Sequence, residues 1–395
     1  MRERPLFLAL LGINFLLLFA QVKGLSISST EAELLYGQFT PLQWITTLSL
    51  NFFGHNDYAL RFPMIAFHLI SMVLLFLISK PYVTREFDRI WVVVIYALLP
   101  GVASVALVLD SAGLVILGTF LFVYLYQQDE RYSIILMPFL FWLDPAFIYL
   151  FLGTALYGAV NKRYWLGGSA ALFFGIALTL HGIEIGGKPQ GRFLDALGVY
   201  AAIFSPIVFL YFFYVLYRRF IANQRDLLWT ITTVAFLISI LLSFRQKVPI
   251  QMFAPFMMLT LPLAAQTFLE TYRVRLKEFR KRYAYLFYSA LFLLILNAMA
   301  VFFNQYFYRY FHNPKDHFAY PMHVAKELAR TLHQEKIECV KVRNESLQLR
   351  LRFYGITQCN KYRLEDTPHP NSKKVTISYK NTPVFTTYVT KVNKK

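Results

Sequence analysis

The sequence predicts an α-helical polytopic membrane protein of about eleven spans with a small C-terminal α/β soluble domain. Three observations predict it. The 395 residues are 57% hydrophobic and only 16% charged, too apolar for a soluble globular protein of this length. Apolar runs of roughly 17–25 residues recur over the first three quarters, each long enough to cross a bilayer core. The character changes near residue 304, where the spans stop. Lipid offers the backbone no hydrogen bonds, so the apolar runs are expected as helices and not as open sheet.

The N-terminus has a basic start and an apolar run of signal-peptide type, without a convincing small-x-small cleavage site. It reads as an uncleaved first helix over 5–22. Further spans are expected near 61–79, 90–109, 111–127, 133–143, 145–160, 164–181, 197–217, 227–243, 249–269 and 284–303. Asp144-Pro145 divides what would otherwise be one over-long run, because proline removes a donor and restricts the residue before it. One kinked helix there is the competing reading, and it would reverse every later loop.

The net charge of +18 does not point to nucleic acid, since no sizeable basic soluble domain precedes the tail. Its cations fall in short segments between spans. Arg2 and Arg4, Lys80 to Arg89, Arg131, Lys162 and Arg163, Arg218 to Arg225, and Arg273 to Arg282 lie on one side. The opposite loops hold only Lys23, Lys188, Arg192, Arg245 and Lys247. The positive-inside bias therefore predicts a cytoplasmic N-terminus and an extracytoplasmic tail. The domains are expected as 1–303, with a first outer loop over 23–60, and 304–395.

In the tail, residues 321–334 predict a helix, and 337–342, 347–355 and 374–380 alternate like strands. The two cysteines, Cys339 and Cys359, would pair in an oxidising compartment; free thiols are the alternative. No zinc-ligand spacing is present. Asn344-Glu345-Ser346 matches a glycosylation sequon, a short motif that carries little weight by itself.

Polar residues beside membrane spans call for a functional hypothesis. On the predicted outer face stand Glu31 and Glu33, Asp57 and Arg61, Asp110, Asp144, Glu184, Lys188, Arg192 and Asp195, and Arg245 with Lys247. Carboxylates and guanidinium groups on one face suit a reaction in which a hydroxyl loses a proton while a phosphate leaves. Each has a plainer reading. Asp110 would cap a helix starting at Ser111, Asp144 would cap before Pro145, and Arg61 would snorkel at the interface. Arg245 and Lys247 run against the topological bias, which favours a binding role.

The first outer loop carries an ordered set of motifs. It reads Glu31-Ala32 with Tyr36, then Pro41-Leu42 with Trp44 on an amphipathic segment, then Phe53-Gly54, then Arg61-Phe62-Pro63. Asp110 opens the fourth span, and Ser243, Arg245 and Lys247 precede a proline-containing span. This order resembles the GT-C superfamily of membrane glycosyltransferases, in particular the protein O-mannosyltransferases and the aminoarabinose transferase that modifies lipid A. The resemblance covers about residues 1–300 and leaves the tail outside. Thr30 stands where the family has an Asp, and Phe39 and Thr40 stand where the aminoarabinose transferases often carry a Lys.

The resemblance implies an enzyme of the bacterial inner membrane that moves a sugar from a polyprenyl-phosphate donor to a glycan, lipid or protein acceptor in the cell envelope, with inversion. Glu31 would be the general base and Asp110 a second catalytic carboxylate. Arg245, Lys247 and Arg61 would bind the donor phosphate, while Glu33, Tyr36 and Trp44 would line the acceptor side. No cofactor is required on this account, and a divalent metal stays open. Membrane lipid is an expected partner and nucleic acid is not. A transporter or flippase of lipid-linked sugars predicts inverted repeats and midplane charges, neither of which the sequence displays. A non-catalytic scaffold is the third reading, sustained by Thr30.

Overall fold

The computed structural model describes residues 3–182, 191–311, 313–369, 372–379 and 382–391. The described chain is mostly helical. In order it runs α1 (Glu3–Val22), α2 (Ser29–Tyr36), α3 (Pro41–Phe53), α4 (Asp57–Ile78), α5 (Glu86–Leu98), α6 (Pro100–Leu107), α7 (Ser111–Gln128), α8 (Glu130–Leu143), α9 (Phe147–Val160) and α10 (Tyr164–Leu180). It continues through α11 (Phe193–Phe204), α12 (Pro206–Ile221), α13 (Leu227–Ser243), α14 (Ala254–Met257), α15 (Thr260–Val274) and α16 (Lys277–Phe302). The tail adds α17 (Ala325–Gln334) and α18 (Glu345–Phe353) with strands β1 (Lys341–Val342), β2 (Tyr362–Glu365), β3 (Ser372–Tyr379) and β4 (Thr382–Lys391).

Four helices, α1, α4, α7 and α16, are long and apolar enough to cross a membrane. Two bent pairs raise the number to six if each pair is one span: α5 with α6, bent by 65°, and α11 with α12, bent by 106°. Pro100 and Pro206 open the second helix of each pair, where proline is tolerated because the missing N–H would have no helical partner. Helices α9, α10 and α13 are apolar but shorter. The expected break at Asp144-Pro145 is present between α8 and α9. The expected span over 249–269 is not continuous: a short 3-10 turn at Ile250–Met252 and α14 precede α15.

The chain forms two compact units. The first comprises Met1–Leu16, Met64–Ala106 and Asp110–Met299. Its closest helix contacts depend on small residues, the usual means of approach between membrane helices. A Cβ on Gly158 of α9 would lie 2.4 Å from Gly167 Cα of α10, and one on Gly153 would lie 2.8 Å from Ile231 Cα of α13. Tyr200 on α11 and Ser239 on α13 share a buried hydrogen bond of 2.7 Å.

The second unit comprises Leu17–Pro63, Leu107–Leu109 and Ala300–Lys395. Both short helices of the first loop begin with a capping box. Ser28 Oγ accepts from Glu31 N while Glu31 accepts from Ser28 N; Thr40 and Gln43 repeat the exchange, with Pro41 opening α3. Helix α3 is amphipathic as expected, with Trp44, Leu48 and Phe52 exposed at four-residue spacing and Leu42, Thr46 and Leu50 buried.

The tail contains the expected α/β mixture with three corrections. Of the strand expected over 337–342 only Lys341–Val342 is strand. The strand expected over 347–355 is replaced by helix α18, which covers 345–353. Asn344 caps it by accepting from Leu347 N, and Gly355 at φ +84° follows its end. Alternating Leu347, Leu349 and Leu351 resembles a strand, but Leu347 and Leu351 also lie one turn apart. The helix expected over 321–334 begins later, at Ala325. The sheet has order β1-β2-β4-β3, with β1 and β2 parallel and the other pairs antiparallel. Leu328, Leu332, Val340, Leu351, Val375 and Val389 form part of its core. Cys339 and Cys359 are joined, deciding the alternative left open by sequence.

Candidate active site

The second unit gathers the first-loop carboxylates around one arginine. Glu31 is the third residue of α2, so the capping box draws its carboxylate back toward the helix start. Its Oε2 accepts from Ser28 N at 2.7 Å and lies 3.4 Å from Arg61 Nη2, and its Oε1 accepts from Leu109 N at 2.9 Å. Glu31 and Arg61 are both 0% exposed.

Arg61 lies one turn into α4, four residues after Asp57. Its Nε donates to Leu107 O at 2.8 Å and its Nη2 to Ser26 O at 2.9 Å, while Nη1 is 3.6 Å from Asp57 Oδ1. Arg61 therefore neither snorkels nor presents a free fork to a phosphate. The carbonyls of Ser26 and Leu107 turn its guanidinium inward, where it bridges two carboxylates. Such a bridge is needed, because a buried charge without a partner is very costly.

Asp57 is nearer the surface, 6% exposed, and its other contacts come from the tail. Tyr354 Oη donates to Asp57 Oδ1 at 2.7 Å, and Lys326 Nζ lies 2.7 Å from Oδ2. Lys326 also donates to Lys23 O at 3.0 Å, and its side chain remains 18% exposed. Tyr354 Oη in turn accepts from Ile27 N at 2.9 Å. Burial, then the neighbouring Asp57 charge, raise the Tyr354 phenol well above its ordinary value, so it serves as a donor. Arg350 on α18 donates to Ile27 O at 2.8 Å and to His323 O.

A histidine cluster lies behind this network. Tyr308 Oη and His323 Nδ1 are 2.7 Å apart, and His323 Nε2 is buried with no hydrogen-bond partner. Burial, with His317 and Arg350 adding to it, lowers the His323 pKa to about 3.

The remaining sequence candidates are placed as follows. In the second unit, Glu33 is exposed, and Tyr36 is partly buried with the Arg352 guanidinium 4.6 Å from its ring centre. Trp44 is 56% exposed on the apolar face of α3. In the first unit, Asp110 caps α7 by accepting from Ala112 N at 2.7 Å, and Asp144 accepts from Ala146 N at 2.8 Å. The capping reading of Asp110 holds, while Asp144 ends α8 and bonds within the turn before α9, whose own N-cap is Ala146. Arg245 and Lys247 are exposed in the turn after α13. Arg192 and Asp195 form an exposed ion pair, while Glu184 and Lys188 lie outside the described residues. Among the described residues no group of three or more His, Cys, Asp or Glu side chains is placed to hold a metal ion.

Sequence reasoning missed Lys326, Arg350 and Tyr354. The available signal was the four-residue spacing of Arg350 and Tyr354, which puts both on one face of a helix; the strand reading hid it. No protein-family model matches the chain, and no curated protein matches it.

Proposed function

We propose that this chain is an integral-membrane glycosyltransferase that moves a sugar from a polyprenyl-phosphate donor to an envelope acceptor on the outer face of the membrane, with inversion. One observation carries the reading. The first-loop residues that form the resemblance, Glu31 and Arg61, meet in a buried ion pair with Asp57, beside a surface helix whose apolar face is exposed. A paired carboxylate site next to a membrane-surface helix suits a lipid-linked sugar whose reacting carbon sits just outside the bilayer.

In the proposed reaction a carboxylate takes the proton of the acceptor hydroxyl. The hydroxyl oxygen attacks the anomeric carbon, and the bond to the phosphate oxygen breaks. A base must come within hydrogen-bond reach of the proton it takes. Both Glu31 oxygens already accept from protein donors, so an acceptor hydroxyl would have to displace one of them. Asp57 shares Arg61 with Glu31 and lies nearer the surface. We therefore place the base function on the Glu31–Asp57 pair, with Arg61 as its positioning residue. Arg245 and Lys247 are the proposed cations for the leaving phosphate, a use that suits guanidinium and ammonium groups. Glu33, Tyr36 and Trp44 are proposed on the acceptor side, and Asp110 as a helix cap near the reaction face. Fixed cations make a metal unnecessary in this scheme.

The proposal includes about eleven spans in a bacterial inner membrane, a cytoplasmic N-terminus and an extracytoplasmic tail. The Cys339–Cys359 bridge supports that placement of the tail, because disulfides persist in oxidising compartments. The test is genetic. Deleting the gene should remove one sugar residue from an envelope component seen by mass spectrometry, and the wild-type chain should restore it. Glu31→Gln and Asp57→Asn should insert normally, and at least one should fail to restore it. Full restoration by both variants would refute the assignment.

A further inference from the structure

The first unit contains a cavity of about 500 Å³ bounded by α5, α12, α15 and α16. Its lining is aliphatic and aromatic, and Asp88 is the one carboxylate in it. The volume lies in the range of small-molecule sites. Along α16 the lining extends from Ala284 to Leu294, and along α15 from Leu261 to Tyr272. At 1.5 Å per residue these runs measure roughly 15 Å, half of a hydrocarbon core of about 30 Å. The cavity therefore has the depth of one leaflet.

The end of the cavity at Asp88, Tyr272 and Ala284 is strongly cationic. Asp88 is ion-paired with Arg273. Arg280 donates to the carbonyls of Arg273 and Arg275 at 2.8 Å each, which fixes the turn between α15 and α16. Lys281 and Arg282 are exposed on the first turns of α16. Asp88 and Glu278 stand among Arg273, Arg275, Arg280, Lys281 and Arg282, so the local balance is positive.

We propose that this cavity binds one acyl chain of an anionic glycerophospholipid from the leaflet at that end, with its headgroup phosphate against the α15–α16 cations. Apolar lining, one-leaflet depth and a cationic mouth at one end jointly specify that ligand. A neutral lipid would satisfy only the first two. On the orientation proposed above, the leaflet is the cytoplasmic one. The inference does not depend on the sugar-transfer reading.

Native mass spectrometry of the full chain, released from nanodiscs of equal phosphatidylglycerol and phosphatidylcholine, tests it. The wild type should retain phosphatidylglycerol in preference by about fivefold or more, the factor expected for one basic residue near a lipid headgroup. Ala290→Trp, which fills the cavity from the α16 wall, should lose the retained lipid while melting like the wild type. Lys281→Gln with Arg282→Gln should keep a bound lipid and lose the preference for phosphatidylglycerol; both residues are exposed, so the fold should be unaffected. Equal retention of both lipids by the wild type, no retained lipid, or an unchanged preference in the charge variant would overturn the proposal. So would stoichiometric displacement of phosphatidylglycerol by added polyprenyl phosphate, which would assign the cavity to a prenyl chain.

Discussion

Replacing Arg61 by Met should destabilise the second unit far more than an ordinary surface change. Arg61 is wholly buried, and its guanidinium meets two carboxylates and the carbonyls of Ser26 and Leu107. Methionine fills similar space but leaves Glu31 and Asp57 facing each other without a cation. Removing one partner of a buried ion pair costs about 3–5 kcal/mol, since the remaining charge stays desolvated. For a unit of this size, 1 kcal/mol corresponds to roughly 2–4 °C in melting temperature, so a loss of at least about 6 °C is expected. Lysine should not restore the wild-type melt, because one ammonium cannot reproduce the planar fork. Adding Glu31→Gln and Asp57→Asn to Arg61→Met removes the orphaned charges and should recover part of the loss. Glutamine is also compatible with the capping box at that position. The assay is thermal unfolding of detergent-purified protein at neutral pH. An Arg61→Met variant melting with the wild type would refute the buried-bridge reasoning.

Two further outcomes follow from the tail. His323 has a folded pKa of about 3 against an ordinary 6.5, so the unfolded chain takes up a proton first as pH falls. Its contribution to stability is whole above pH 6.5 and is lost downward toward pH 3, by about 1.4 kcal/mol at pH 5.5. Melts at pH 7.5 and 5.5 should show that slope, and His323→Gln should flatten it; His317, also lowered by burial, leaves a shallower remainder of the same sign. An unchanged slope in the variant would contradict the assignment. Reduction of the Cys339–Cys359 bridge, which closes a separation of 20 residues, should cost about 3 kcal/mol and lower the melting temperature of the tail. Cys339→Ser with Cys359→Ser should match the reduced wild type, and a reductant-insensitive wild type would argue against the bridge.

Local chemistry made part of the fold legible. Asp144-Pro145 breaks the helical run, Asp110 caps α7, Pro41 opens an amphipathic α3, and β3 falls where alternation placed a strand. Each of these depends on residues within a few positions of one another. The errors arose where local pattern was ambiguous or tertiary contact decided. The alternating stretch before Gly355 fits strand and helix alike, and the Asn344 cap with burial of Arg350 and Leu351 selected helix. The apolar run over 249–269 carries Pro249, Pro255 and Pro262, and it breaks early. At the candidate site, Glu31 and Arg61 were legible as members of an ordered loop. Their burial was not, because it depends on Ser26, Leu107 and Leu109. Lys326 and Tyr354 reach Asp57 across more than 260 residues of sequence, a separation no local pattern encodes.

The central claim is sugar transfer from a polyprenyl-phosphate donor, and purified protein tests it most directly. Proteoliposomes holding the wild-type chain and a radiolabelled polyprenyl-phosphate sugar, supplied with envelope extract as acceptor, should release polyprenyl phosphate and label the acceptor. Glu31→Gln and Asp57→Asn, made singly so that Arg61 keeps one carboxylate, should include at least one variant whose rate falls by at least about a hundredfold, the low end of general base contributions, while its melt stays near the wild type. Donor that stays intact with the wild type, or turns over at the wild-type rate in both variants, would contradict the account.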